Sequence, residues 1–195
     1  MNDTMVNQNT EFEYHERSVG RLDDLGLMMQ QQISAEKFVD HYMSDLNYLG
    51  VDLTGKKVLS VGCGVGLHEL AMIRRAVNVY GIDYSQALVD VASRYGPVIS
   101  LGDIYALDFP DSSFDYVICN LVLHHLDDIH SALAEAKRVL KPDGRVIIYE
   151  HNYRNPLCRV SAGTCGIRVH ESHGVPVSLS RQRARRDEQA VLAVS

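Results

Sequence analysis

Short apolar runs alternate with helical patterns through the middle of the chain, and this alternation limits the fold more than any other feature of the sequence. The runs contain Val, Ile and Tyr with little polar alternation, as strands buried on both faces require, and they read KVLSV, NVYGID, VISLGD, DYVICN and RVIIYE. Three helical patterns lie between them, LHELAMIRRA, SQALVDVASRY and HSALAEAKRVL. The sequence therefore predicts an α/β fold with a doubly wound, mostly parallel sheet and helices on both faces.

The chain is long enough for one domain with a hydrophobic core, since 46% of its 195 residues are hydrophobic. Apolar residues at helical spacing between Phe38 and Leu49, followed by Gly50, predict a helix before the first strand. We assign an N-terminal arm or lid, a core domain and an atypical tail to residues 1–32, 33–158 and 159–195.

Composition argues against several classes of partner. The net charge of -6 disfavours a nucleic-acid-binding surface, which normally carries a basic excess. The apolar runs are shorter than the roughly 20 residues that cross a bilayer, and the polar start lacks the apolar segment of a signal peptide. We therefore expect a cytoplasmic protein with no membrane partner. The four cysteines show no CxxC pairing, so we predict neither a metal site nor a disulfide framework.

Three glycines follow the first predicted strand in the stretch VLSVGCGVGLHELA, and they are Gly62, Gly64 and Gly66. Without side chains, the backbone N–H groups at the start of the next helix can approach a ligand, preferably an anionic group. In a parallel sheet, ligands bind beyond the carboxyl ends of the strands, where the strand order reverses. The glycine turn is therefore a predicted wall of a binding site, although such a turn fits many nucleotides.

Acidic residues end the next two predicted strands. Asp83 stands 17 residues after Gly66, and a carboxylate there can accept hydrogen bonds from both hydroxyls of a ribose. Asp103 ends the third strand and can accept from the exocyclic amine of adenine, with Ile104 beside the ring. These residues predict an adenosine-like ligand. The alternative is that each Asp caps a helix or a turn, which is common at such junctions.

Five stretches of the chain resemble the class I S-adenosylmethionine-dependent methyltransferases, in particular the small-molecule group whose first motif is similar to VLDLGCGTG. They occur in the family's order between Lys57 and Asn152, and they read VLSVGCGVG, VYGIDYS, GDIYALDFPDSSFDYVICN, LVLHHLDD and RVLKPDGRVIIYE. The resemblance implies a Rossmann-like fold and S-adenosyl-L-methionine as the cofactor. It also implies transfer of a methyl group to an oxygen or nitrogen atom of a small-molecule acceptor.

The same resemblance assigns roles to individual residues. It implies that the three glycines line the methionine and ribose portions of the cofactor, that Asp83 holds the ribose diol and that Tyr84 flanks the adenine. It further implies that Asp103 and Ile104 contact the base and that Asn120 lies beside the methionine moiety.

A nicotinamide- or flavin-dependent oxidoreductase is the rival interpretation of the glycine turn. Its fingerprint places the third glycine three positions after the second, whereas Gly64 and Gly66 are two apart. A pyrophosphate needs the wider turn over the helix start, while S-adenosylmethionine presents an amino acid carboxylate instead. The spacing therefore favours the methyl donor.

Two histidines and an acid stand where a general base is expected. His124 and His125 follow the fourth predicted strand, and Glu150 ends the fifth. A carboxylate bonded to one imidazole nitrogen would fix the tautomer and raise the basicity of the other nitrogen, so we predict His124 as the base and Glu150 as its orienting partner. The alternative is that one or both histidines only close the loop by bonding to the backbone.

The sequence departs from the family pattern in two places. Ser60 stands where an acidic residue is frequent, so we expect a weaker polar link to the methionine amino group. The tail offers only GIRVH and VPVSLS as strand candidates, and SRQRARRDEQAVLAV could form a helix. We therefore expect incomplete C-terminal strands and an exposed edge at the fifth strand, which a homo-oligomer could cover.

These departures leave a second class of function open. The chain could be a methyltransferase-like domain that binds S-adenosylmethionine or a protein partner without catalysing transfer. Calorimetry with the cofactor and with its demethylated product separates the two classes.

Overall fold

The computed structural model contains a six-stranded sheet flanked by helices. It describes residues 40, 42–44, 46–47, 50–95, 99–151 and 189–194, and of 95, 150–151 and 189–194 it describes the backbone only. The strands are β1 (Lys57–Val61), β2 (Asn78–Asp83), β3 (Ile99–Leu101), β4 (Phe114–Asn120), β5 (Leu140–His151) and β6 (Gln189–Val194). The helices are α1 (Leu67–Arg74), α2 (Gln86–Tyr95), a short 3-10 helix (Leu123–His125) and α3 (Ile129–Val139).

The strand order is β3-β2-β1-β4-β5-β6, and the first five strands are parallel. This arrangement confirms the predicted doubly wound parallel sheet. The strand order reverses between β1 and β4, because the chain runs from β1 out to β3 and then returns to the other side of β1. In such sheets the crevice at the reversal is where ligands bind, so the fold directs attention to the carboxyl ends of β1 and β4.

The tail contributes a strand that the sequence analysis did not predict. β6 pairs with β5 in antiparallel orientation, from Val146 opposite Val194 to His151 opposite Gln189. The expectation that β5 forms an exposed edge was therefore wrong. The segment QAVLAV lies at the end of a run for which a helix was the structure considered, but pairing with the free N–H and C=O groups of β5 outweighs local propensity.

Several predictions about the termini lie outside the described residues. They include both domain boundaries and the candidate strands GIRVH and VPVSLS. The predicted helix before β1 is described in part, since residues 40, 42–44 and 46–47 are helical and Gly50 follows with a φ of 70°. In the part of the chain that the structure describes, no helix has the length and apolar character needed to cross a membrane.

The fifth strand begins earlier than its sequence indicated. α3 ends at Val139, and the KPDG segment, which precedes the predicted strand RVIIYE, lies inside β5. A Cβ at Gly144 would come within 2.8 Å of Leu140 Cδ2 and 3.0 Å of the Lys141 carbonyl oxygen. Glycine is therefore required there because the chain folds closely against itself at the start of the strand.

Side chains alternate between the two faces of the sheet and form a core on each. One core lies under α1 and the N-terminal helical segment, and it contains Tyr42, Leu46, Val58, Ala71, Met72, Ile118, Ile147 and Tyr149. The other lies under α3 and contains Leu59, Val61, Phe114, Val117, Cys119, Ala136, Val139, Val146 and Ile148. Burial on both faces explains why the strands are apolar at nearly every position.

The end of α1 has an unusual residue for its conformation. Ala76 has a φ of 58°, its N–H donates to the Ile73 carbonyl oxygen at 2.9 Å, and the next N–H, of Val77, donates to Met72 O at 3.0 Å. This is the Schellman arrangement, in which glycine is the preferred residue at the left-handed position because a Cβ is strained there.

Replacing Ala76 with Gly is therefore expected to raise the free energy of unfolding by roughly 0.5–1 kcal/mol, as measured by chemical denaturation. Ala134→Gly is the matched control, because Ala134 is exposed in the interior of α3. That control should lower the free energy of unfolding by about 1 kcal/mol. Two variants that change stability in the same direction would contradict the assignment.

Candidate functional site

The three glycines form a left-handed turn between β1 and α1, with φ values of 70°, 56° and 80° at Gly62, Gly64 and Gly66. A Cβ at Gly62 would come within 2.3 Å of Val122 Cγ2, so close packing also requires glycine at that position. A Cβ at Gly64 would meet no atom within 4 Å. The turn is therefore packed against the β4 side at Gly62 and faces open space at Gly64.

The carboxylate of Asp83 joins the end of β2 to the glycine turn. Its Oδ2 accepts a hydrogen bond from the Gly64 N–H at 2.7 Å, and its Oδ1 accepts one from the Ser85 N–H at 2.9 Å. Asp83 therefore caps a turn, which is the alternative role that the sequence left open for it. A carboxylate offers about four acceptor sites, so the same side chain still has acceptor capacity for a ribose. The ribose contact remains a prediction.

A cavity of about 430 Å³ opens beside Asp83 at the carboxyl ends of β2 and β3, and it is lined by Tyr84, Gln86, Leu101, Gly102 and Asp103. The side chains of Tyr84 and Leu101 are unusually exposed for their size, at 69% and 56%. The surface that a ligand would meet here therefore combines exposed apolar side chains with the carboxylate of Asp103.

Two of these lining residues, Tyr84 and Asp103, were predicted from the sequence, and the others were not. Gly102 carried a signal, since an isolated glycine inside a strand pattern such as VISLGD suggests a close approach of the backbone. A Cβ at Gly102 would come within 3.1 Å of the Ile82 Cβ. Asp103 Oδ1 accepts from the Tyr105 N–H at 2.8 Å, while Ile104 is half-buried and packs against the core under α3. Their contacts with a base remain predictions.

Asn120 ends β4 and is held by a residue from far away in the sequence. Its Nδ2 donates to the hydroxyl oxygen of Tyr42 at 3.1 Å, and both side chains are buried. The Tyr42 ring lies 4.6 Å from the His68 ring, centroid to centroid. Burial raises the pKa of Tyr42 and lowers the pKa of His68 to about 4. Both rings are therefore uncharged at neutral pH.

A buried carboxyl group lies directly under the glycine turn, and the sequence analysis did not identify it. Ser60 Oγ donates to Glu69 Oε1 at 2.5 Å, and both residues are almost fully buried. Burial raises the pKa of Glu69. The helical pattern of LHELAMIRRA gave no signal that this Glu faces inward, because its neighbours Leu67 and His68 also fit an inward position.

The predicted base lies on the 3-10 helix after β4. His124 is half-buried, and its ring centroid is 3.9 Å from that of the exposed His125. In the sheet, Asn120 is paired with Tyr149, so the backbone of Glu150 lies one residue beyond the end of β4. The side chain of Glu150 lies outside the described positions. The His124–Glu150 dyad therefore remains a prediction.

Residues 59–148 match the family model for a methyltransferase domain. These residues run from β1 to β5 and include the glycine turn, Asp83, the cavity and Asn120. This region of the chain is therefore similar to the methyltransferase domain of the class I S-adenosylmethionine-dependent enzymes. The resemblance given by the sequence motifs is thereby confirmed, and the oxidoreductase interpretation is not supported.

Two curated proteins illustrate the similarity of the chain to known methyltransferases. The chain is 31% identical over 157 residues to the uncharacterized methyltransferase YcgJ of Bacillus subtilis, covering 77% of this chain and 55% of that protein. It is 35% identical over 128 residues to a ubiquinone biosynthesis O-methyltransferase of Pseudomonas aeruginosa, covering 58% and 55%. The chain thus spans about half the length of these curated relatives.

Solved structures agree on the architecture of the domain. The PH0226 protein of Pyrococcus horikoshii superposes with a TM-score of 0.52 at 30% identity, covering 62% of this chain and 63% of that one. A protein of Methanococcus maripaludis gives a TM-score of 0.55 at 17% identity, covering 68% and 62%. At that identity the second likeness shows the fold alone.

The cofactor of this family is S-adenosylmethionine, and the described residues fit it. With the ribose held at Asp83, an adenine would extend into the cavity that begins at Tyr84. The space in front of Gly64 is open. Two buried acceptor oxygens without donors lie on the neighbouring elements, one on Asn120 at the end of β4 and one on Glu69 of α1, which Ser60 of β1 holds. The cavity residues would hold the base, Asp83 the ribose and the turn the amino acid end.

Gly64→Ala is expected to reduce the affinity for S-adenosylmethionine at least about tenfold in calorimetry. The added methyl group would project into the open space in front of the turn, and the positive φ would strain the N–H bond to Asp83.

Gly55→Ala is the matched control for this prediction. Gly55 also has a positive φ, of 67°, and open space at its Cβ, but it lies in the turn before β1. Both variants should lose about 1–2 kcal/mol of unfolding free energy. Equal affinities of the two variants for the cofactor would contradict the placement of Gly64 at the site.

Proposed function

We propose that the protein transfers a methyl group from S-adenosylmethionine to an oxygen or nitrogen atom of a small molecule by in-line displacement. The observation that carries the proposal is the meeting of the cavity, Asp83 and the glycine turn at the carboxyl edge of a sheet that matches the family model. When bound, the cofactor supplies the reactive methyl group and the leaving group.

The main task of the protein in such a reaction is alignment. Holding an acceptor atom about 3 Å from the reacting carbon, in line with the leaving group, can lower the barrier by several kcal/mol. In this chain the residues suited to that task are buried or tied by hydrogen bonds. Asp83 is fixed by two backbone N–H groups, and Asn120 is fixed by Tyr42. Such a rigid frame supports a positioning mechanism.

A hydroxyl group is the acceptor that the comparisons favour. The ubiquinone biosynthesis O-methyltransferases of several Pseudomonas species match this chain at 34–38% identity over 114–128 residues. By its name that enzyme methylates oxygen. We therefore place a small molecule with an acidic or activated hydroxyl ahead of an amine as the acceptor.

A hydroxyl acceptor needs a group that takes its proton, and we assign that role to His124. His124 lies on the 3-10 helix that follows β4, the strand that flanks the crevice, and its side chain is half-buried. Partial burial suits a general base, since the imidazole can reach a substrate and still exchange protons with solvent. Glu150, on the neighbouring strand β5, is the proposed orienting carboxylate.

The test is His124→Ala, with His130→Ala as the matched control because His130 is exposed on α3. Removal of a general base is expected to lower kcat at least about 100-fold. Affinity for S-adenosylmethionine should stay within about twofold of wild type, since a base touches the acceptor rather than the cofactor. Transfer is followed with radiolabelled cofactor and a panel of phenols, catechols and primary amines.

Each result has a defined meaning for the proposal. Unchanged turnover in His124→Ala would reject the base but leave methyl transfer in place. Cofactor binding with no transfer to any acceptor in the panel would instead favour the binding protein that the sequence analysis left open.

A further inference from the structure

Two buried oxygen atoms near the glycine turn lack hydrogen-bond donors. Among the described residues, the buried side-chain N and O atoms without a partner are Glu69 Oε2 and Asn120 Oδ1. Glu69 is 2% exposed and Asn120 is 7% exposed. Buried polar atoms are nearly always paired in folded proteins, so two such acceptors near one site require an explanation.

The sheet register puts the two groups on the same face of the crevice. Ser60, which holds Glu69, is paired with Ile118, and Asn120 lies two residues further along the same strand. Side chains two apart share a face, so Ser60 and Asn120 project from neighbouring strands to the same side. The Cα atoms of Ser60 and Asn120 are separated by roughly 5 Å perpendicular to the strands and by roughly 7 Å along the strand direction.

Both acceptor oxygens have fixed positions. Glu69 Oε1 accepts a hydrogen bond from Ser60 Oγ, and Asn120 Nδ2 donates one to the hydroxyl oxygen of Tyr42. The Tyr42 ring also lies 4.6 Å from the ring of His68, the residue before Glu69, so the elements that carry the two acceptors are packed together. These two hydrogen bonds therefore orient Glu69 Oε2 and Asn120 Oδ1 and leave both oxygens without a donor.

Two donors of the glycine turn have acceptors other than the free oxygens of Glu69 and Asn120. The Cys63 thiol donates to the Ser60 carbonyl oxygen at 3.3 Å, and the Gly64 N–H donates to Asp83. Two oriented acceptors, one of them on a carboxyl group, are the complement of a ligand that carries several N–H donors and a positive charge. A primary ammonium group has three donors and no acceptor.

We propose that Glu69 Oε2 and Asn120 Oδ1 together bind the ammonium group at the methionine end of S-adenosylmethionine. Glu69 thereby supplies, from helix α1, the acidic group that β1 lacks at Ser60. The expected weak link to the amino group is replaced by a carboxyl that reaches the same place from the following helix. This inference rests on the cofactor of the family and not on the proposed acceptor.

The test compares two ligands that differ at the amino acid end. S-adenosylhomocysteine carries the ammonium group, and 5′-methylthioadenosine lacks the whole amino acid. Glu69→Gln should weaken S-adenosylhomocysteine binding about tenfold or more in calorimetry and leave 5′-methylthioadenosine binding within about twofold. Asp143→Asn removes the same charge from an exposed residue at the start of β5 and should change neither affinity.

A second variant keeps the inference testable if Glu69→Gln does not fold, as judged by its circular dichroism spectrum. Asn120→Ala removes the other acceptor and should also reduce only S-adenosylhomocysteine binding. Equal losses for both ligands in the folded variants would show a merely structural role and overturn the inference. Unchanged binding of S-adenosylhomocysteine would overturn it as well. Wild-type protein that binds neither ligand would overturn the cofactor assignment itself, which is a separate result.

Discussion

The carboxylate of Asp83 is the interaction on which the rest of the site depends. It is almost buried, and it accepts one N–H from the glycine turn and one from the start of α2. Hydrogen bonds to a charged acceptor contribute about 1.5–3 kcal/mol each, about twice a neutral bond. The Ile82 carbonyl oxygen adds two bonds, from the N–H groups of Gly62 and Cys63 at 2.9 and 3.1 Å. The end of β2 thus sets the position of both the turn and the cavity.

A second polar group supports the turn from the opposite side, under α1. The Ser60–Glu69 bond lies within an otherwise apolar core, where an unpaired carboxyl is costly. A fold retains such a group when it has a partner or a task, and the one bond to Ser60 leaves half of the carboxyl unsatisfied. Asn120 is in the same condition on β4. Both lie at the strand reversal, where the fold class places its ligands.

The parts of this architecture that were predictable depend on contacts that are local in sequence. The glycine spacing, the strand-end acids Asp83 and Asp103 and the cap of α2 by Ser85 each involve residues within one turn or one strand end. The missed parts are long-range. Asn120 donates a hydrogen bond to Tyr42, 78 positions away in the sequence. β6, which begins at Gln189, pairs with β5, which ends at His151. Local sequence patterns do not predict such pairings, because each pairing forms only when a distant segment packs against the completed sheet.

The end of β4 shows how the sheet controls a segment that the sequence alone leaves open. Leu121 has a φ of 52°, a left-handed conformation that costs a residue with a Cβ roughly 1–2 kcal/mol. Its N–H donates to the Tyr149 carbonyl oxygen at 2.7 Å, so β5 holds the strained residue in place. The chain turns there from Asn120 into the 3-10 helix that carries His124. Strain that is maintained by surrounding structure tends to occur at functional sites, because it fixes a direction that a relaxed backbone would not keep. The position of His124 is therefore set by the pairing of β4 with β5, and the sheet that holds the proposed cofactor site also places the proposed base.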